Sequence, residues 1–374
     1  MWLWMKFCDD RIARTRGRRP SAMQTLLVTL LPTIASTTMT ALIGDSPDLP
    51  DGVAAIKAAI KTEWKLVRAA NATAEQIAEA TVFVETSMDI LAKAKAGKLF
   101  QFAFTGVPDS YLATIPPRFT VSNCHQSSVP IAEYVLAATL SWTVQLNEMQ
   151  KRLRSCTWKS APPGNNCTAE HAHFVHKQFS NMTMGILGYG HIGEAIADRA
   201  AAFGTRLIAT TIDPPKVPPK PLSWIGDDSM NAKLFEESDF VVICVPLTNS
   251  TRGLVDAKLL SHLSTSGVLV NIARGAVVDE EALYNALAKK TIGGAVIDVW
   301  WHDIFRMKDG DYGPASWPSS YRFDELDNVV MSAHTSGITK GSEAESVKEI
   351  AKNLDNLALG KPLENVIRPG KPAQ

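Results

Sequence analysis

No run of about 18 or more apolar residues occurs in the chain, which excludes a transmembrane helix. An excess of one charge is also missing: 38 Lys and Arg stand against 38 Asp and Glu. The composition therefore gives no reason to expect nucleic acid or a membrane surface as a partner. Low-complexity tracts and long charged blocks are absent outside the ends, so disorder does not lead. Cysteine is scarce and scattered: Cys8, Cys124, Cys156, Cys167 and Cys244 show no C-x-x-C spacing, and their number is odd. Such a set fits a reducing compartment better than a disulfide framework. His171, His173 and His176 lie in a polar stretch without cysteines at zinc spacing, so they read as a surface run and no metal is expected. The expectation is a soluble, cytoplasmic protein.

With 374 residues, 45% hydrophobic and 20% charged, the chain is ordinary for a globular protein and long for one core. Residues 1–22 differ from the rest: Arg11, Arg14, Arg16, Arg18 and Arg19 follow a Met-Trp-Leu-Trp-Met start. An Arg-rich, acid-poor opening fits organelle targeting, whereas Asp9, Asp10 and the scarcity of serine argue against it. An extension ahead of a start at Met23 explains the segment equally well.

From Gln24 onward apolar runs alternate with helical patterns. Strands are expected at 26–31, 64–67, 81–84, 99–104 and 119–122, with a helix at 52–60. Thr73 with Gln76 three residues later marks a helix start. A long helical pattern over 128–154 bridges to a Pro/Gly/Ser/Asn break at 159–166. A second series of strands follows at 184–187, 206–211, 240–245, 268–272, 294–299 and 328–332. A final helix at 343–359 is expected to fold back on the first domain. Strands and helices alternating in this way indicate parallel, doubly wound sheets.

The most informative segment joins the first strand of the second series to a helix that ends at Gly204. It reads Gly188-Tyr189-Gly190-His191-Ile192-Gly193. Alone, G-x-G-x-x-G is a weak signal; between a strand and a helix it has a mechanism. Gly188 permits a tight turn, Gly190 lets a diphosphate approach the backbone, and Gly193 lets helix and strand pack closely. The N–H groups of His191, Ile192 and Gly193 at the helix start face the phosphates.

Ligands of open parallel sheets bind beyond the carboxyl ends of the strands. In this second half those ends carry Val245-Pro246-Leu-Thr248, then Ile272-Ala273-Arg274, then Asp298, then His334-Thr-Ser336-Gly337. Taken singly, Arg274 reads equally as an exposed strand-end charge, Asp298 as a helix cap and His334 as a satisfied core histidine. Together, on the dinucleotide edge, they form a hydride-transfer set. Arg274 offers a two-pronged clamp for a carboxylate or carbonyl. His334 exchanges the proton that accompanies hydride. Asp298 is placed to hold the nicotinamide carboxamide. Trp300 and Trp301 either line the cleft or, more commonly for such pairs, pack.

These residues resemble the D-isomer-specific 2-hydroxyacid dehydrogenase family over nearly all of residues 23–366. The carrying motifs are residues 245–248 with Thr251-Arg-Gly253, the arginine signature at 270–279, Val129-Pro-Ile-Ala-Glu-Tyr134, and the ending at 360–366. The resemblance implies two doubly wound α/β domains. One is a Rossmann NAD(P)-binding domain at 126–337; the other is a smaller flavodoxin-like substrate domain at 23–125 and 338–374. It also implies a homodimer that transfers hydride between nicotinamide and C2 of a small 2-keto or D-2-hydroxy acid. Arg274 then binds substrate, His334 is the acid/base, and the backbone at Thr105 and Gly106 cradles the carboxylate.

Two departures from the family pattern stand out. A glutamate normally lies five residues past the aspartate of the fifth strand, followed by proline; here Asp303 is followed by Ile304. Asp303 is one methylene shorter, still an acid able to favour imidazolium at His334. Residues 306–318 read as an insertion near the cleft. The second departure concerns the adenosine ribose. Thr211 stands where NAD-preferring members carry an acid, about 18 residues past the third glycine, with Asp213 about 20 past it. A bulge in the strand lets Asp213 read the ribose and favours NAD(H), the first choice. Without it, Lys216 or Lys220 meets a 2′-phosphate and NADP(H) takes its place. Two other readings remain at this stage: a nucleotide-sensing, corepressor-like protein with little turnover, and an oxidoreductase acting on a phosphite- or formate-type acid.

Overall fold

The computed structural model describes residues 38–46, 49–107, 109–158, 168–169, 175–302 and 317–371. The elements below all belong to one compact unit that begins at Met39. The expected strand at 26–31, the 1–22 extension, the 159–166 break, His171, His173, Asp303 and most of the 306–318 insertion lie outside the described residues.

The first sheet is built from β1 (Met39–Ile43), β2 (Trp64–Arg68), β3 (Val82–Val84), β4 (Leu99–Gln101) and β5 (Thr120–Ser122), with α1 (Gly52–Ala59), α2 (Ala74–Glu79), α3 (Met88–Lys93) and α4 (Asp109–Thr114) between them. Thr73 caps α2 as expected, its hydroxyl accepting from the Gln76 N–H while the Gln76 side chain accepts from the Thr73 N–H. β1 was not expected. Its Met-Thr-Ala-Leu-Ile run is weakly patterned, yet it lies between β2 and β3 with Ala41, Leu42 and Ile43 buried. β4 stops at Gln101, short of the run to 104.

The chain then enters α5 (Ser128–Val144) and α6 (Leu146–Arg154). The single long helix expected here is broken at Gln145, which adopts left-handed backbone (φ 55°). Thr139 and Thr143 donate hydroxyl bonds to the carbonyls one turn back, a pattern that bends helices ahead of such a break. A two-residue ribbon, β6 (Thr157–Trp158) with β7 (Thr168–Ala169), follows.

The second sheet contains β8 (Thr183–Leu187), β9 (Arg206–Thr210), β10 (Trp224–Gly226), β11 (Phe240–Ile243), β12 (Val268–Asn271), β13 (Gly294–Ile297) and β14 (Val329–Met331). Its helices are α7 (His191–Ala201), α8 (Asn231–Glu236), α9 (Ala257–Leu260) and α10 (Glu280–Ala288). The strand order β10-β9-β8-β11-β12-β13-β14 is parallel throughout, a doubly wound sheet whose order reverses beside β8. Every residue of β11, β12 and β13 is buried, as expected for strands covered on both faces.

The chain returns to the first sheet through α11 (Ser342–Ala358) and β15 (Val366–Arg368). The first sheet's order is β15-β5-β4-β3-β1-β2, parallel except for β15. Val347, Ile350 and Leu354 of α11 pack with Ala41, Ile43 and Ile56. Full burial of each such side chain is worth about 1.5–3 kcal/mol, enough to fasten the returning segment. Cys124 and Cys244 are free, but Cys156 is disulfide-bonded, against the expectation of thiols throughout. Pairing depends on two Cα atoms coming within about 7 Å, which scattered spacing does not reveal. Among the described residues no helix is long and apolar enough to cross a membrane.

Candidate functional site

The glycine loop follows β8. Gly188 sits at φ +99°, where a side chain is strained, and an added Cβ would lie 2.8 Å from Val245 Cγ1. Its N–H donates to the Thr210 carbonyl at 2.9 Å, closing the loop on β9. At Gly193 an added Cβ would come within 2.6 Å of the Gly188 carbonyl oxygen, so only glycine allows α7 to start this close to the loop. Gly190 differs, because nothing lies within 4 Å of its added Cβ. The loop is thus packed on its inner side and open on its outer side. The first turn of α7, whose N–H groups lack intrahelical acceptors, leads away from that opening. A diphosphate fits these residues: a bare backbone approach at Gly190 and donors at the positive end of an eleven-residue helix.

The β8–β9 pairing runs in unbroken register, and the Thr211 N–H donates to the Gly226 carbonyl at 2.9 Å. No bulge precedes Asp213, so Thr211 directly follows the strand, and Asp213 is exposed two residues farther on.

Past β11, Val245 and Pro246 lead to a turn tied by Thr251. Its hydroxyl donates to the Pro246 carbonyl at 2.6 Å and accepts from the Thr248 N–H at 2.8 Å. Past β12, Asn271 shapes the arginine turn. Its side-chain oxygen accepts from the Ala273 N–H, and its amide donates to the Arg274 carbonyl, both at 3.1 Å. Ile272 and Ala273 are buried beneath. The Arg274 guanidinium donates to the Ala273 carbonyl at 2.6 Å and, across to the other sheet, to the Gly106 carbonyl at 3.0 Å. The segment it reaches is itself held. The Thr105 hydroxyl bonds Ser127 at 2.8 Å, and Asn123 donates to the Thr105 carbonyl at 2.6 Å. Thr105, Gly106 and Arg274 are therefore brought together.

Asp298 lies just past β13 and is fully buried. One oxygen accepts from the Ser332 hydroxyl (2.6 Å) and the Thr335 N–H (2.9 Å); the other accepts from the Ser336 N–H (3.0 Å). Its carbonyl accepts from the His334 N–H at 2.7 Å, with His334 in left-handed backbone (φ 55°). All these bonds go to the loop that carries His334, which Asp298 fixes in an otherwise disfavoured conformation. Tyr134 of α5 bonds Ser332 at 2.5 Å, and burial pushes its phenol up. Gly337 closes the loop against α5, where an added Cβ would lie 3.0 Å from Ser127 Cβ. Trp300 and Trp301 pack: their indole N–H groups donate to the carbonyls of Ser332 and Val278, both at 2.8 Å, and Trp301 stacks on Phe323. His176 is exposed, with a ring nitrogen 2.9 Å from the Lys177 carbonyl.

Residues 136–336 match the family model described as the NAD-binding domain of D-isomer-specific 2-hydroxyacid dehydrogenases. The chain belongs to this family. It is 32% identical over 225 residues to glyoxylate reductase of Thermococcus onnurineus, covering 58% of this chain and 61% of that protein. With hydroxypyruvate reductase of Thermotoga maritima it shares 33% identity over 183 residues, covering 48% of this chain and 55% of the relative. The matches therefore span less than two thirds of these relatives' lengths. A D-isomer-specific 2-hydroxyacid dehydrogenase of Xanthobacter autotrophicus, solved with NADPH and MES, superposes with a TM-score of 0.70 at 24% identity. That likeness covers 87% of this chain and 97% of the other, and it shows the shared fold.

Sequence reasoning passed over Ser332, Asn123 and Ser127, which hold these turns in shape. Each is a small polar residue near a named motif, and only its hydrogen bonds set it apart from other loop residues. Thr251, Asn271 and Tyr134 were noted within motifs but given no role.

Proposed function

We propose that this protein is an NAD(P)H-dependent reductase of a small 2-keto acid, of the size class of glyoxylate and hydroxypyruvate, forming the D-2-hydroxy acid or running the reverse reaction. The observation that carries this reading is the Arg274 bridge from the Rossmann sheet edge to Gly106 of the smaller sheet. It sets a forked cation against a backbone turn, a combination suited to a carboxylate next to a carbonyl. The bound dinucleotide supplies the hydride. Arg274 and the backbone at Thr105–Gly106 hold the substrate carboxylate and polarise the carbonyl. His334, fixed by Asp298 through its loop, gives its proton to the carbonyl oxygen as hydride reaches C2, so a neutral hydroxyl forms and imidazole is left. Asp303 is proposed as the acid that favours the imidazolium.

Cofactor contacts are proposed at Gly188, Gly190, His191, Ile192, Gly193, Val245, Pro246, Thr248, Ile272, Ala273, Ser336 and Gly337, with Asp298 acting on the nicotinamide end through its loop. Thr211 directly after an unshifted strand removes the bulge on which the NAD(H) preference and Asp213's ribose role depended, and it supports NADPH, with Lys216 or Lys220 toward the 2′-phosphate. The substrate domain is proposed to comprise residues 23–125 and 338–374, and the dinucleotide domain 126–337.

The test is a panel of glyoxylate, hydroxypyruvate, pyruvate and bulkier 2-keto acids with NADH and with NADPH, followed by loss of reduced-cofactor absorbance. Turnover of the small acids is expected. Firm dinucleotide binding without turnover of any keto acid would replace this reading with a nucleotide sensor.

A further inference from the structure

His125 stands where the smaller sheet hands the chain to α5, and His191 opens α7 beside the glycine loop. Their rings meet with centroids 4.0 Å apart and planes tilted by 34°. The backbone N–H of His125 donates to Glu349 Oε2 at 2.8 Å, an oxygen that also accepts from Asn365 at 2.8 Å. His125 Nδ1 is buried without a hydrogen-bond partner. A buried ring nitrogen left in that state costs free energy and calls for a reason.

The charges around His125 explain why its ring resists protonation and what would change that. A second imidazole in contact, at the positive end of a helix, disfavours protonation of His125. Burial first, and His191 second, hold the His125 imidazole down to about 4. The carboxylate that faces the junction is Glu349 of α11, with Glu345 and Glu364 near it, and burial pushes the Glu349 carboxyl up. An anion bound at the start of α7 would reverse this balance.

We propose that His125 and His191 form a two-ring wall of the diphosphate pocket, spanning both sheets, which takes up a proton when a dinucleotide binds. The inference rests on the reading of the glycine loop as a dinucleotide site. The proton comes from solvent and no covalent bond changes. The sign follows from linkage: the bound state holds more protons than the free state. Affinity therefore falls as pH rises, by up to about tenfold per pH unit, between the free-state value near 4 and the higher value of the bound pair. Because His125 belongs to the smaller sheet's end of the junction, the same proton ties dinucleotide binding to that sheet.

The experiment is calorimetric titration of the full chain with NADPH and with NADH near pH 6, in buffers of different ionisation enthalpy. Wild type is expected to take up roughly half to one proton per dinucleotide. His125→Phe, which keeps a ring for stacking, is expected to abolish most of that uptake while still binding; His191→Phe is the second variant, and near-UV circular dichroism checks both folds. Equal proton uptake in wild type and both variants, or none in wild type, would overturn the proposal. Absence of any binding by calorimetry and by dinucleotide fluorescence would instead remove the dinucleotide reading, and the proton wall with it.

Discussion

Arg274 reaches across to the smaller sheet only because position 106 has no side chain. An added Cβ there would lie 2.1 Å from the guanidinium nitrogen. Gly106→Ala should therefore push Arg274 aside and raise KM for the keto acid by about tenfold or more, the scale of one lost charge-assisted hydrogen bond. Dinucleotide affinity should stay within about twofold, since the glycine loop is untouched; a parallel loss of both would place the effect on the fold instead. Legibility at this scale follows from how a residue acts. Gly188, Gly190 and Gly193 were readable because a missing side chain at fixed spacing has few explanations. Arg274 and His334 stood out because each follows the carboxyl end of a strand of the dinucleotide sheet. Asn271 and Thr251 did not, because a side chain that shapes a turn through its own backbone has the same appearance in sequence as any loop polar residue.

Elements show the same division. β11, β12 and β13 are continuous apolar runs, and the structure finds each where expected, shortened by a residue or two. β1 and β10 were missed: one is diluted by threonine and alanine, and the other, Trp-Ile-Gly, is three residues long. The loop after β14 depends on an element the pattern could not connect to it. The carboxylate of Asp298, just past β13, accepts three hydrogen bonds from residues 332–336 and leaves those donors stranded if it is removed. Asp298→Ala should cost about 2–4 kcal/mol of stability, lowering Tm by several degrees. It should depress kcat more than dinucleotide affinity, because His334 loses its imposed backbone while the glycine loop remains. Asp298→Asn, able to accept some of the same bonds, should recover part of the stability. An unchanged Tm in the alanine variant would contradict the role given to this carboxylate.

At the scale of the whole molecule, two largely parallel sheets are joined through α5 and α11, and the proposed site draws on both. The proposed nucleotide wall is the turn after β8. Arg274 comes from the turn after β12 and bonds Gly106 of the smaller sheet, the proposed carboxylate cradle, and His334 follows β14. That division of labour predicts separable losses. The most direct measurement compares wild type with Arg274→Ala and His334→Ala, taking dinucleotide affinity from fluorescence and turnover of the best keto acid in the same preparations. Both variants should bind NADH or NADPH within a few-fold of wild type while kcat/KM falls by about 10²–10⁴. Turnover equal to wild type in either variant would contradict the assignment of clamp and proton donor, and with it the account of this site.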